Sequence, residues 1–233
     1  VIGNNGTNRR PRVLIVDDHV LFAESLELSL NMEGYDVRRV PAANMTPSQL
    51  LAGVTRYQPR VVLLDLDLGD LGDGARLINP IARTGANVVV LTASTDRSRW
   101  GDCVRQGARK AIPKTQPLNE ILSVVRKICQ GLPVMDASER EELISLWSEQ
   151  RQQEHELRER LERLTPRERE VLGQLIAGHP VREIARSSVV SEATVRTQVK
   201  AILAKLEVTS QLAAVGLARQ VGWAPPSPNG AVS

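Results

Sequence analysis

The sequence predicts an α/β domain over residues 11–132, built on an open, doubly wound sheet of five parallel strands. A helical linker over 133–163 follows, then an all-α domain of four short helices over 164–223. Three observations carry this reading. Near-continuous Val/Leu/Ile runs alternate with amphipathic stretches up to residue 132, as in parallel strands that helices cover on both faces. From Asp136 the chain turns charge-rich and almost free of β-branched residues. Beyond Leu164 only helical periodicity remains, broken by tight-turn signals.

The strands are expected at Val13–Val16, Val37–Val40, Val61–Leu64, Val88–Leu91 and Lys110–Ile112. Between them, Val20–Glu33 has apolar Leu21, Phe22, Leu26, Leu28 and Leu30 and stops at Gly34. Thr46-Pro47-Ser48-Gln49 is a capping box with proline in the first turn, opening Gln49–Arg56. Asp96–Gln106 ends at Gly107, and Pro117–Gln130 ends at Gly131. Repeated β-α units imply an open sheet whose site lies at the carboxyl ends of the strands.

In the linker, Leu143, Leu146, Gln150, Gln153, Leu157, Arg160 and Leu164 follow an approximate 3-4 spacing with a polar centre. Such a seam suits either a solvated linker helix or a short dimeric coiled coil. Thr165-Pro166-Arg167-Glu168 is a second capping box, with its helix ending at Gly178. Val181–Arg186 is a short helix, Ser191 caps Glu192–Leu206, and a last helix runs near Gln211–Val221. Four short helices with tight turns suit a helix-turn-helix module. The ends, 1–10 and 224–233, read as disordered tails.

Composition narrows the function. The 233 residues are 42% hydrophobic and 24% charged, ordinary for a soluble globular protein. Two cysteines, Cys103 and Cys129, exclude a Cys-rich zinc site and disfavour a disulfide framework. Aromatics at 3% disfavour a stacking platform for single-stranded nucleic acid. No apolar run approaches the roughly 20 residues of a membrane span. Residues 1–6 lack the order of a signal peptide. A reducing cytoplasm, with no membrane partner, is the expected setting. Charge is uneven: residues 1–132 carry 17 basic and 13 acidic side chains, 133–163 carry 5 and 9, and 164–233 carry 8 and 5.

Asp17 and Asp18 follow the first strand, and Asp65 ends the third. In a doubly wound sheet these strands are neighbours, so three carboxylates meet and repel. A divalent cation resolves the conflict, and Mg2+ accepts one or two carboxylates plus water and phosphate oxygens. Thr92 closes the fourth strand with a hydroxyl, and Lys114 follows the fifth with an ammonium. A carboxylate nucleophile, a metal and a lysine are the parts needed to take up a phosphoryl group. Glycine-rich dinucleotide and P-loop patterns are absent from the sequence.

Val13-Leu14-Ile15-Val16-Asp17-Asp18-His19, Val61–Asp65, Val90-Leu91-Thr92-Ala93 and Ile112-Pro113-Lys114 resemble the receiver domain of bacterial two-component response regulators. The resemblance implies a flavodoxin-like fold, with Asp65 accepting phosphate from a sensor histidine kinase. It also implies that Asp17, Asp18, Asp65 and the backbone carbonyl of Asp67 hold Mg2+, and that Thr92 and Lys114 contact the phosphoryl group. Three features depart from the pattern. Ala111 stands at the usual aromatic switch position, Thr115 replaces the proline after the lysine, and the loop after Asp65 has Gly69 for proline plus one inserted residue.

Leu164–Leu172, Gly178, Glu183-Ile184-Ala185, Ser191–Val195, Val199, Ile202 and Lys205-Leu206 resemble a LuxR-type helix-turn-helix. Nearly the whole folded chain is thus similar to a NarL/FixJ-family response regulator. The resemblance implies double-stranded DNA as partner, with contacts from Arg196, Thr197 and Lys200, Lys205 on a phosphate, and a homodimer when active. Glu168 reads as a cap and ion-pair partner. Gln198 replaces the usual histidine, and His179-Pro180-Val181-Arg182 replaces the usual Ser-Asn-Lys turn. Two other readings remain: a regulator of the same architecture switched by a ligand or protein partner, and a metal-dependent phosphohydrolase carrying an interaction module.

Overall fold

The computed structural model describes residues 10–41 and 45–225. The expected tails lie outside the described residues, save Arg10, Ala224 and Pro225. The chain divides into two compact units, Val1–Ser148 and Glu149–Ser233.

The first unit holds β1 (Arg12–Val16), α1 (Val20–Met32), β2 (Asp36–Val40), α2 (Pro47–Tyr57), β3 (Val61–Asp65), α3 (Ala75–Ala82), β4 (Asn87–Thr92), α4 (Arg97–Gln106), β5 (Ala108–Pro113) and α5 (Leu118–Cys129). The five strands form one sheet in the order β2-β1-β3-β4-β5, and every pairing is parallel. The two sheet faces carry separate apolar clusters. Leu14, Val16, Val62, Leu64, Val88 and Val90 pack against α2, α3 and α4. Val13, Ile15, Leu63, Val89, Leu91 and Ile112 pack against α1 and α5. Alternation along each strand feeds both faces, which is why β3 is apolar throughout up to its terminal aspartate.

One element departs from the sequence reading. The helix α3 had no place in it, because α3 has only eight residues and contains Pro80. Proline inside a helix normally marks a break, but here Leu77, Ile78 and Ile81 are buried and hold the turn on the sheet. On α1 the core is met by Ala23, Leu26 and Leu30. Leu21 and Leu28, apolar residues of the same amphipathic segment, are 80% and 64% exposed.

The helix α6 runs Ala137–Glu162. Near its start, Leu143 is buried, and Arg105 of α4 stacks on the Trp147 ring at 4.4 Å. In the second unit, Leu157, Leu161 and Leu164 join the core of the terminal helices. The leucines of the proposed seam at 143, 157 and 164 are therefore covered by their own chain, while Gln150–Gln153 are exposed. That unit continues with α7 (Pro166–Ile176), α8 (Val181–Ser187), α9 (Glu192–Leu206) and α10 (Gln211–Gln220). Val171, Leu172, Ile184, Val195, Val199, Ile202 and Leu206 form its centre. Both capping boxes exist: Thr46 and Thr165 accept from the N3 backbone, and Gln49 and Glu168 reach back to the cap N–H. Among the described residues, no single helix is long and apolar enough to cross a membrane.

Candidate functional site

The sheet order sets the site. Because β1 lies beside β3, with Val16 paired to Leu64, the residues that follow meet at one rim. Asp17 and Asp65 are buried there, and Asp18 lies beside them more exposed. Lys114, just past β5, donates from Nζ to Asp65 Oδ2 at 2.6 Å and to Asp17 Oδ1 at 2.9 Å. The backbone turns tie the acids down: Asp17 Oδ1 accepts from His19 N–H at 2.8 Å, and Asp65 Oδ1 accepts from Asp67 N–H at 3.2 Å. Burial pushes the Asp65 carboxyl above its ordinary value, and the Lys114 and Asp67 hydrogen bonds pull against that rise. The ammonium cannot serve every oxygen. Asp17 Oδ2 is buried without a hydrogen bond, although Lys114 Nζ lies 2.9 Å away as an ion pair. Two buried carboxylates sharing one ammonium are costly, and a hard divalent cation answers the remaining charge. Ligand atoms of Asp17, Asp18, His19 and Asp65 all lie within 4.8 Å of one another, so the donor set fits such an ion.

His19 joins the rim. It occupies the N-cap of α1 by its backbone, but its side chain makes no cap hydrogen bond. The imidazole turns into the rim, with Nδ1 2.9 Å from Asp18 and 3.5 Å from Asp65. Gly74 went unnoticed in the sequence. A Cβ there would lie 2.1 Å from the Asp65 carbonyl, so only glycine lets the loop close behind that residue. In the same loop, Asp73 and Asp67 face Arg99 of α4 at 3.1 and 3.8 Å; a cation of the chain serves those acids. Thr92 is fully buried at the end of β4, and its Oγ1 accepts from Ser94 N–H at 3.0 Å. Its carbonyl accepts from Lys114 N–H at 2.7 Å, linking the ends of β4 and β5.

On α9, Val195, Val199, Ile202 and Leu206 are buried, which turns Arg196, Thr197 and Lys200 to solvent. Arg196 is held by Glu192 at 3.3 Å, and Thr197 Oγ1 bonds back to Ala193 O. Lys205 is engaged elsewhere: its Nζ donates to buried Glu168 at 2.6 Å. Burial alone would raise the Glu168 carboxyl; the Lys205 and Thr165 hydrogen bonds outweigh it and hold it below its ordinary value. Glu168 is thus the cap and ion-pair partner that its place implied. Gln198, on the same helix as Lys205, is partly buried, with Oε1 lacking a hydrogen-bond partner.

Two family models match the chain. That of the response regulator receiver domain covers residues 13–126, and that of the bacterial regulatory proteins, luxR family, covers 162–218. The chain belongs to the response regulators that pair a receiver with a LuxR-type helix-turn-helix domain. It is thus a DNA-binding transcriptional response regulator. Similar response regulators include the transcriptional regulatory protein DesR of Bacillus subtilis (strain 168), 24% identical over 91% of this chain and 98% of that one. The transcriptional regulatory protein DegU of Brevibacillus brevis is 28% identical over 91% and 94% of the two chains. A solved complex of the response regulator RcsB with DNA is 22% identical over 91% of this chain and 100% of that one, with a TM-score of 0.49. In this response regulator the rim acids, the hydroxyl and the lysine all stand at the carboxyl ends of β1, β3, β4 and β5.

Proposed function

We propose that Asp65 is the phosphoacceptor of this regulator and that its phosphorylation controls how α9 meets double-stranded DNA. The observation that supports this best is the buried Asp65 carboxylate gripped by Lys114 at 2.6 Å, beside an Asp17 oxygen without a hydrogen bond. In the transfer, an Asp65 oxygen attacks the phosphorus of a phosphohistidine on a sensor histidine kinase. The new O–P bond forms as the P–N bond breaks, and the imidazole leaves. Asp17, Asp18, Asp65 and the Asp67 backbone carbonyl would hold Mg2+, which neutralises carboxylate and phosphoryl charge when bound. Lys114 pairs with the phosphoryl oxygens, and the Thr92 hydroxyl turns toward them. Each activation needs one transfer rather than turnover, so the chain acts as a regulator and not as an enzyme.

On α9, Arg196, Thr197 and Lys200 face the major groove, with basic groups on phosphates. Lys205 reaches a phosphate only by sharing its ammonium with Glu168. The active form is a homodimer in the bacterial cytoplasm, two copies meeting half-sites about one helical turn apart. The test is Asp65→Asn. Acetyl phosphate with Mg2+ should change the oligomeric state and DNA affinity of the wild type and leave the variant unmoved. An equal response from both would overturn the assignment and favour a switch by ligand or protein partner.

A further inference from the structure

The position where receivers resembling this one carry an aromatic switch is Ala111, buried on β5. On the same face of the sheet lies an aromatic residue of α4. Trp100 of α4 packs against the apolar cluster that contains Ala111, and α4 lies along β5. The indole is also tied into the loop below the rim: its Nε1–H donates to Ser94 O at 3.1 Å. Ser94 N–H in turn donates to Thr92 Oγ1 at 3.0 Å. Asp96, which caps α4 through Ser98 and Arg99, takes its own N–H to Ser94 Oγ at 3.2 Å. Two hydrogen bonds therefore run from the Thr92 hydroxyl to a ring inside α4. The next residue, Gly101, carries the path onward. A Cβ there would stand 2.0 Å from Leu143 O and 3.0 Å from Trp147 Cβ of α6, so the linker helix is seated directly on this turn of α4.

We infer that Trp100 is a positioning residue that relays the state of Thr92 to α4 and to the start of α6. It does from the helix what the missing aromatic would do from β5. The inference rests on the proposed phosphorylation of Asp65. When the Thr92 hydroxyl turns toward a phosphoryl group, the acceptor of Ser94 N–H moves. Ser94 either follows or loses that bond, and its carbonyl is the partner of the indole. A large ring packed by one face against the core and held by its N–H does not shift alone. It takes α4 with it, and the contact at Gly101 passes the shift to α6.

The full-length chain, 15N-labelled, decides the matter. Acetyl phosphate with Mg2+ is added, intact mass reports Asp65 occupancy, and the indole N–H signals of Trp100, Trp147 and Trp223 are followed. Trp100→Phe assigns the signal and keeps a ring while removing the donor. The Trp100 indole signal should move on phosphorylation, together with amide exchange over residues 137–148. Trp100→Phe should take up phosphoryl to the wild-type extent. Its phosphorylation-dependent change in DNA affinity should fall from the usual allosteric range, about 5–150-fold, to about one-fold. A phosphorylated wild type with an unmoved Trp100 signal, or a Trp100→Phe variant that responds as the wild type does, overturns the relay alone. An Asp65 that takes up no phosphoryl overturns the preceding assignment as well.

Discussion

Replacing Gly101 with alanine tests whether α6 is seated on α4. Gly101 is a buried helix-interior residue. Helix propensity alone favours the replacement by about 1 kcal/mol. The new methyl would meet the Leu143 carbonyl oxygen at 2.0 Å and its carbon at 2.8 Å. These are backbone atoms, so no rotamer change relieves the clash and α6 must lift. Lifting exposes Leu143, which is 2% accessible, at about 1.5–3 kcal/mol. It also separates Arg105 from the Trp147 ring, at about 0.5–1 kcal/mol. The Arg97–Glu142 pair is half exposed and adds little. The propensity gain is the same whether α6 is docked or lifted, so the docked helix loses about 2–4 kcal/mol, an opening favoured by about 30- to 700-fold. Amide exchange of residues 137–148, followed by mass spectrometry, reads this directly. Gly53→Ala is the control, because Gly53 lies inside α2 with nothing within 4 Å of a Cβ. It should gain stability by about 1 kcal/mol and leave that exchange unchanged. If Gly101→Ala behaved like the control, the docking argument would be wrong.

Two further expectations concern the second unit. The Glu168 carboxyl is held below its ordinary value by Lys205 and the Thr165 cap, so its contribution is present above the ordinary carboxylate value and is lost as pH falls through the lowered one. Thermal melts of the helical unit should therefore weaken in that acid window. Glu168→Gln, which retains a capping-box residue, should flatten the window; an unchanged acid profile would remove the pair from the stability of the unit. On α9, exposed Lys200 is proposed to meet a phosphate. Lys200→Ala should weaken DNA binding across sequences and reduce the salt-dependence slope by about one, and an unaltered slope in salt-titrated binding would reject that contact.

The strands, both capping boxes and the buried stripe of α9 were legible because each is written in neighbouring residues. Val61–Asp65 needs only its own composition to declare a strand buried on both faces, and Thr165 with Glu168 needs only a spacing of three. The acid rim was legible one step further, since a doubly wound sheet brings the ends of β1 and β3 together whatever surrounds them. The helix α3 was not, because Pro80 opposes it locally and burial of Leu77 and Ile81 overrides that preference. For Leu21 and Leu28 the sequence reports only that they are apolar, while the neighbouring element decides which apolar residues are covered.

By itself, then, the sequence determined the two kinds of domain, the order of their elements and the residue types gathered at the rim, since all of these follow from local pattern and chain connectivity. Only the tertiary structure decided where His19 points, that Lys205 reaches Glu168 across 37 positions, and that Trp100 binds the Thr92 loop beside the seat of α6. Those choices depend on distances between side chains remote in the chain, and a hydrogen bond or a steric clash is settled within a few tenths of an ångström, finer than any spacing rule can state.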